Sequence, residues 1–263
     1  MEDVVIKTSF RAKSRNLVLA SRSLDFARDD VVSLSFMNVV FDFDNTLFQT
    51  ERLKQALYVI VEERGFSHDE AVHIYLNARQ KNNEITFSIV NFCDVLNVAI
   101  DKNKTSEHVT PSFIRNELFQ HVGLVDGAME LLSLLKKHDI APHLLSLGVS
   151  EWQHEKVALA KLDTFFDPVH IVYTSNILEG KVDALRLLFG IDFDGADTYL
   201  FNDKPDETKN ILDAFPKLRV YLRRDSTDTR YTKEDFDVLV KTYGDRVMYA
   251  DDLNQGADFL HLF

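Results

Sequence analysis

Two aspartates two positions apart, Asp42 and Asp44, sit in the apolar run VVFDFDNTLF at residues 39–48. Carboxylates this close at the end of a buried stretch repel one another unless they share a cation or a proton. Other apolar runs also end in polar residues. Ser146 follows HLL, with Gly148 just beyond it, and Asn202 and Asp203 follow TYLF, with Asp206 and Glu207 one turn further. Lys181 opens a helical stretch after another run. Each residue alone has an ordinary explanation: an Asp-Asn turn, a serine cap, a solvated lysine, or acids that favour a helix N-terminus. Brought to one mouth, they would supply three or four carboxylates, a hydroxyl and a lysine. Such carboxylates favour a hard cation with oxygen ligands, and Mg²⁺ takes few protein carboxylates and keeps several waters. The cation would attract a phosphate, whose oxygens Ser146, its neighbouring backbone N–H groups and Lys181 could hold. No Cys or His pair stands at the spacing zinc needs, and no Gly-rich loop precedes a Lys-Ser/Thr pair as in P-loop proteins.

These residues converge only if the apolar runs are parallel strands separated by helices. Residues 38–43 predict a first strand, apolar on both faces. Residues 50–122 carry helical periodicity with no obvious strand, including a helix near 68–81 boxed by Ser67 and Glu70 and another begun by Thr110 and Pro111. Then come an amphipathic helix with Met129, Leu131, Leu132 and Leu135 inward, a strand over 142–148, and a helix boxed by Ser150 and Gln153. Strands over 169–174, 198–203 and 218–224, each followed by a helix, continue the alternation, and a short VMYA strand lies between the last two helices. The regularity predicts an α/β fold: a doubly wound parallel sheet with an inserted helical domain. Ligands bind such sheets beyond the carboxyl ends of the strands, where Asp42, Ser146 and Asp203 fall.

The 263 residues carry a net charge of −12, which argues against a nucleic-acid coat. A local cation could still hold a small anionic ligand. One cysteine, Cys93 in the apolar stretch SIVNFCDVL, excludes an intrachain disulfide framework and fits a reducing compartment. No run reaches membrane-spanning length. Residues 1–36 combine Arg11, Lys13, Arg15, Arg22 and Arg28 with many serines, but Glu2, Asp3, Asp25, Asp29 and Asp30 count against a transit peptide. The expectation is a poorly ordered extension over 1–36, a core formed by 37–48 and 124–263, and a helical cap over 49–123.

The ordered motifs resemble the haloacid dehalogenase (HAD) superfamily, in its phosphatase branch with a helical C1-type cap (phosphoglycolate phosphatase-like or nucleotidase-like). Asp42, Asp44 and Thr46 match its Asp-x-Asp-x-Thr motif, and Ser146 its strand-ending hydroxyl. Lys181 matches its helix-opening lysine, and Asp203 with Glu207 its acidic pair. The resemblance runs from about Met37 to Phe215, and more loosely to the C-terminus. It implies Asp42 as nucleophile and Asp44 as acid and base. Mg²⁺ would be held by the Asp42 carboxylate, the Asp44 main-chain carbonyl and Asp203. Ser146, the Leu147 backbone N–H and Lys181 would hold the phosphoryl group, with Thr46, Asn202 and Glu207 in support. The sequence departs from the family where Asn202 replaces a common glycine, Val182 a common proline and Leu147 a common asparagine. Asp206 competes with Glu207 as the second acid. In the cap, Arg52, Lys54, Arg79 and Lys81 are candidate substrate contacts, while Phe66, Phe87, Phe92, Phe113 and Phe119 are expected to pack its core.

The resemblance implies a Mg²⁺-dependent phosphatase acting on a small phosphorylated metabolite through an aspartyl-phosphate. The protein would be cytoplasmic, monomeric or homodimeric, with no membrane or nucleic-acid partner. A phosphoryl-transferring mutase and a catalytically silent binding protein are the alternatives. Carbon–halogen hydrolysis fits less well, because such relatives generally lack the second aspartate.

Overall fold

The first apolar run forms β1 (Asn38–Asp42), and the chain then leaves the sheet for a helical insert. The computed structural model describes residues 37–81, 84–85, 87–103, 106–121, 123–148, 150–174 and 180–262; the expected extension, 1–36, lies outside them. The insert comprises α1 (Thr50–Glu62), α2 (His68–Arg79), the strand pair β2 (Gln80–Lys81) and β3 (Glu84–Ile85), α3 (Ile89–Asn103) and α4 (Pro111–Phe119). Its helices bury Leu57, Val61, Ile74, Leu96, Ile100, Ile114 and Leu118. Both expected helix starts form: the Ser67 N–H donates to Glu70 Oε2 at 2.8 Å, and Thr110 Oγ1 accepts the Phe113 N–H at 3.2 Å. The insert leaves and rejoins the core through neighbouring backbone. The Gln49 N–H donates to the Gly123 carbonyl and the Val125 N–H to the Leu47 carbonyl, each at 2.9 Å.

The chain then alternates. After α5 (Ala128–Lys137) come β4 (His143–Leu147), α6 (Ser150–Leu159), β5 (Ile171–Thr174), α7 (Gly180–Phe189), β6 (Thr198–Asn202) and α8 (Pro205–Ala214). The remaining elements are β7 (Arg219–Arg223), α9 (Lys233–Tyr243), β8 (Val247–Ala250) and α10 (Gly256–Phe259). Six strands form one sheet in the order β5-β4-β1-β6-β7-β8, and all its pairings are parallel. Strand periodicity makes the sheet two-faced. Val39, Phe41, Leu144, Phe201 and Tyr221 join Leu131, Leu132 and Leu135 of α5 in one core. Val40, Leu145, Leu200, Val220 and Leu222 join Leu185, Ile211, Leu212, Phe236 and Leu239 of α7–α9 in the other. Burying such a side chain contributes roughly 1.5–3 kcal/mol. Phe41, Phe201 and Tyr221 stack across β1, β6 and β7 with centroids 4.5 and 5.2 Å apart.

The order decides where a site can form. From β1 the chain winds outward through β4 and β5, then returns to β6 on the other side of β1. Beyond the carboxyl end of β1 this reversal opens a crevice.

Several expectations are corrected. The insert contains the β2/β3 pair, whose two-residue strands are too short to leave an alternation signal. Helix α2 accordingly stops at Arg79, before the first of them. Met129 is 38% exposed, on the outer side of α5, and Phe113 and Phe119 are surface residues of α4. The Ser150–Gln153 box does not form: the Ser150 hydroxyl meets His154, and Gln153 turns into the core. The final helix is a single turn, α10. Cys93 is buried, and burial beside Asp94 pushes its thiol up to about 11, the behaviour of an inert packing residue.

Candidate active site

The DNT turn after β1 shapes the centre of the crevice. Asn45 adopts φ 61°, a left-handed conformation that asparagine tolerates well, and its side chain accepts the Glu51 N–H at 3.2 Å. The N–H groups of Leu47 and Phe48 return to the Phe43 carbonyl at 3.0 Å. This tight loop sends Asp42 and Asp44 to different partners.

Asp42 is buried at the end of β1. Its Oδ1 lies 2.9 Å from Lys181 Nζ, and its Oδ2 accepts the Thr46 hydroxyl at 3.2 Å. Lys181, on the first turn of α7, is fully enclosed and also donates to Glu207 Oε2 and the side-chain oxygen Asn202 Oδ1, each at 2.6 Å. Burial alone would lower the lysine's pKa, but the carboxylates of Asp42, Glu207 and Asp203 outweigh it and hold the ammonium charged. Asn202 Nδ2 donates to Thr208 Oγ1 at 2.8 Å and faces Glu207 Oε2 at 3.3 Å. Glu207 therefore joins the cluster from α8. Asp206 instead accepts the Tyr231 hydroxyl at 2.7 Å, outside it.

Three buried polar atoms of the site find no hydrogen-bond partner among the described residues: Ser146 Oγ at the end of β4, Gln153 Oε1 on α6 and Asp203 Oδ1 just past β6. Orphaned polar atoms are rare in folded proteins and call for a partner. Burial, followed by the Asp42 charge, pushes the Asp203 carboxyl up to about 8. Its other oxygen is 4.0 Å from Arg230 Nη2, itself engaged with Asp228 at 2.6 Å. The charges of Arg230, Lys204 and Lys181 do not offset burial and the Asp42 charge, and a cation between Asp203 and Asp42 would relieve both. No three His, Cys, Asp or Glu side chains form a ligand group among the described residues. Two carboxylates, a carbonyl and water suit Mg²⁺, which keeps much of its hydration.

Asp44 has different company. Its Oδ1 accepts the Thr50 hydroxyl and the Lys156 ammonium, and its Oδ2 accepts Gln153 Nε2 at 2.8 Å. Burial would raise its pKa, but Lys156, with the Thr50 and Gln153 hydrogen bonds, brings it below the usual carboxylate range. Lys156 is buried on α6, and burial pulls its own pKa down against the Asp44 charge.

Solved structures match the fold of this chain over nearly their full length. One is a protein assigned as the HAD-hydrolase YfnB of Bacillus subtilis, bound to magnesium. It is 14% identical, with 86% of this chain and 98% of that one covered and a TM-score of 0.52. A Thermotoga maritima protein assigned as a beta-phosphoglucomutase is 15% identical, with 86% and 97% covered and a TM-score of 0.53. The chain has the haloacid dehalogenase fold. A HAD family hydrolase from Deinococcus radiodurans with bound phosphate and sodium shares it at 18% identity, 87% and 97% coverage and a TM-score of 0.50. No family model and no curated protein matches the sequence.

On the haloacid dehalogenase fold, β1, β4, β6 and α7 carry Asp42, Ser146, Asn202 and Lys181. Lys181 contacts Asp42, Asn202 and Glu207, with Thr46 bracing Asp42. Leu147 is the last residue of β4, in register with Thr174. Among the described residues, no ion pair or hydrogen bond joins Arg52, Lys54 or Arg79 to this cluster. Lys54 pairs with Glu51 at 2.9 Å, and Arg79 lies 5.8 Å from the Tyr75 ring. Arg52 lines a cavity of about 470 Å³ with Gln49, Arg223 and Asp225, and the Lys81 side chain lies outside the described set. Sequence reasoning missed Gln153, Lys156 and Thr50. A helical lysine normally reads as solvated, and Gln153 stands where a capping partner would, so no local signal pointed to them.

Proposed function

We infer that the protein is a Mg²⁺-dependent phosphatase that hydrolyses a small-molecule phosphomonoester through an aspartyl-phosphate on Asp42. The observation that carries this reading is the buried Asp42–Lys181 pair beside the Ser146 hydroxyl and Asp203 oxygen, both without a hydrogen-bond partner among the described residues. That set offers a nucleophile, two donors for phosphoryl oxygens and a carboxylate in need of a cation. Asp42 would attack phosphorus in line while the bond to the leaving oxygen breaks. Asp44, once protonated against the pull of Lys156, would give that oxygen its proton, then as the carboxylate take one from the water that cleaves the aspartyl-phosphate. Lys181, Ser146 and the Leu147 N–H would stabilise the phosphoryl oxygens, with Glu207 and Asn202 holding the lysine in place. Bound to the Asp42 carboxylate, the Asp44 carbonyl and Asp203, Mg²⁺ would offset the repulsion between nucleophile and phosphate.

The magnesium of the Bacillus relative and the phosphate of the Deinococcus relative support this chemistry. Residues 49–123 would act as a cap over a core of 37–48 and 124–263, admitting substrate and excluding water. Among the described residues no helix is long and apolar enough to cross a membrane. The single buried cysteine supports a reducing compartment such as the cytoplasm.

A second reading, a phosphate-binding protein without turnover, draws support from Asp44, whose two oxygens are already taken by Lys156, Thr50 and Gln153. A panel of metabolite phosphates with Mg²⁺, scored by kcat/KM, separates the two. Selective hydrolysis of one class is the expected result. Binding without hydrolysis across the panel would replace the first reading by the second.

A further inference from the structure

Helix α6 touches two things at once. Its Trp152 ring lies 5.2 Å from Phe87 of the insert, and Glu155 accepts the Arg115 guanidinium of α4. The residues following each of these, Gln153 and Lys156, reach Asp44. Lys156 is only 2% exposed. Its Nζ stands 5.1 Å from the Phe43 ring centroid and 5.8 Å from those of Phe48 and Trp152. An ammonium in an aromatic enclosure is costly without a counter-charge, and a leucine or methionine would join α6 to this core more cheaply. Asp44 supplies the counter-charge. Gln153 fits because position 148 is glycine: a Cβ there would fall 2.4 Å from Gln153 Nε2.

We propose that Lys156, with Gln153 beside it, is a positioning residue that sets the Asp44 carboxylate for proton transfer. Lys156 and Thr50 hold one oxygen and Gln153 the other, so the carboxylate can neither rotate nor drift from the mouth. Misplacing a reacting group by about 1 Å can cost on the order of a hundredfold in rate. The proposal rests on the phosphatase reading for the proton's destination, but the clamp itself does not.

The test compares wild type, Lys156→Met and Lys156→Arg on an aryl phosphate and an alkyl phosphate with Mg²⁺. An alkyl leaving group needs the proton far more than an aryl one. Lys156→Met should therefore lose roughly 10- to 100-fold in kcat on the alkyl ester. The loss on the aryl ester should be clearly smaller, and Lys156→Arg should recover part of the alkyl rate. Equal losses on both esters with no recovery by arginine would overturn the proposal. A thermal-denaturation cycle of Lys156→Met, Asp44→Asn and the double variant reads the clamp without turnover. The double variant should melt higher than the sum of the single losses requires, because it leaves no unpaired charge. Additive losses would overturn the clamp whatever the esters show. If wild type hydrolyses neither ester nor any phosphate of the metabolite panel, the phosphatase reading fails, and the cycle alone decides whether Lys156 holds Asp44.

Discussion

Asp42 and Asp44 are two positions apart, yet the turn between them gives them opposite surroundings. Asp42 shares Lys181 with Glu207 and stands near an unrelieved Asp203, whereas Asp44 is held by three donors. The Asp203 carboxyl carries a measurable consequence. Its pKa in the folded, metal-free protein is raised from 3.8 to about 8. The stability it contributes is present below its ordinary value and is lost as pH rises through about 8. Mg²⁺ requires the ionised carboxylate and must displace that proton, so its stabilising effect should grow over the same range. The rise in Tm on adding Mg²⁺ should be larger near pH 8 than in weakly acid buffer, and Asp203→Asn should abolish the difference. A Mg²⁺ effect indifferent to pH would remove Asp203 from the metal site. Asp42, Ser146 and Asp203 were legible in the sequence because a polar side chain ending an apolar run is conspicuous, and Lys181 because it opens the helix after another such run. Lys156 was not, since only its tertiary surroundings distinguish it from a solvated helix lysine.

Among the elements, the strands were the most legible, because long two-sided apolar runs have few other uses. The β2/β3 pair and the one-turn α10 were hidden by their shortness, and the turned-in Gln153 by a pattern that also suits a cap. At the opposite end of β4 from Ser146, His143 packs 4.4 Å from the His170 ring and 5.2 Å from Phe189. Burial, with some repulsion from His170, brings the His143 pKa down from 6.5 to about 4. A depressed pKa contributes stability above its ordinary value, and that contribution is lost as pH falls through the folded one. The protein should therefore lose stability between about pH 6.5 and 4 as His143 is forced to charge. His143→Phe should flatten that limb of the Tm–pH curve. An unchanged limb would show that acid sensitivity arises elsewhere.

At the scale of the molecule, the strand order does the assembling. Reversal at β1 brings the ends of β1, β4 and β6 and the start of α7 to one crevice, although their residues are spread from Asp42 to Glu207. The sequence made this convergence predictable because strand–helix alternation in a parallel sheet leaves few topologies open. It could not show how the insert meets the core, since Phe87 against Trp152 and Arg115 against Glu155 join segments far apart in the chain. Those contacts end on the same helix that holds Asp44. The central claim remains that Asp42 forms a bond to phosphorus. The most direct test is kcat/KM for a generic aryl phosphate with Mg²⁺, measured for wild type and for Asp42→Asn at matched thermal stability. Removing the nucleophile should cost on the order of a thousandfold or more. An Asp42→Asn protein that hydrolyses the ester as wild type does would contradict the account.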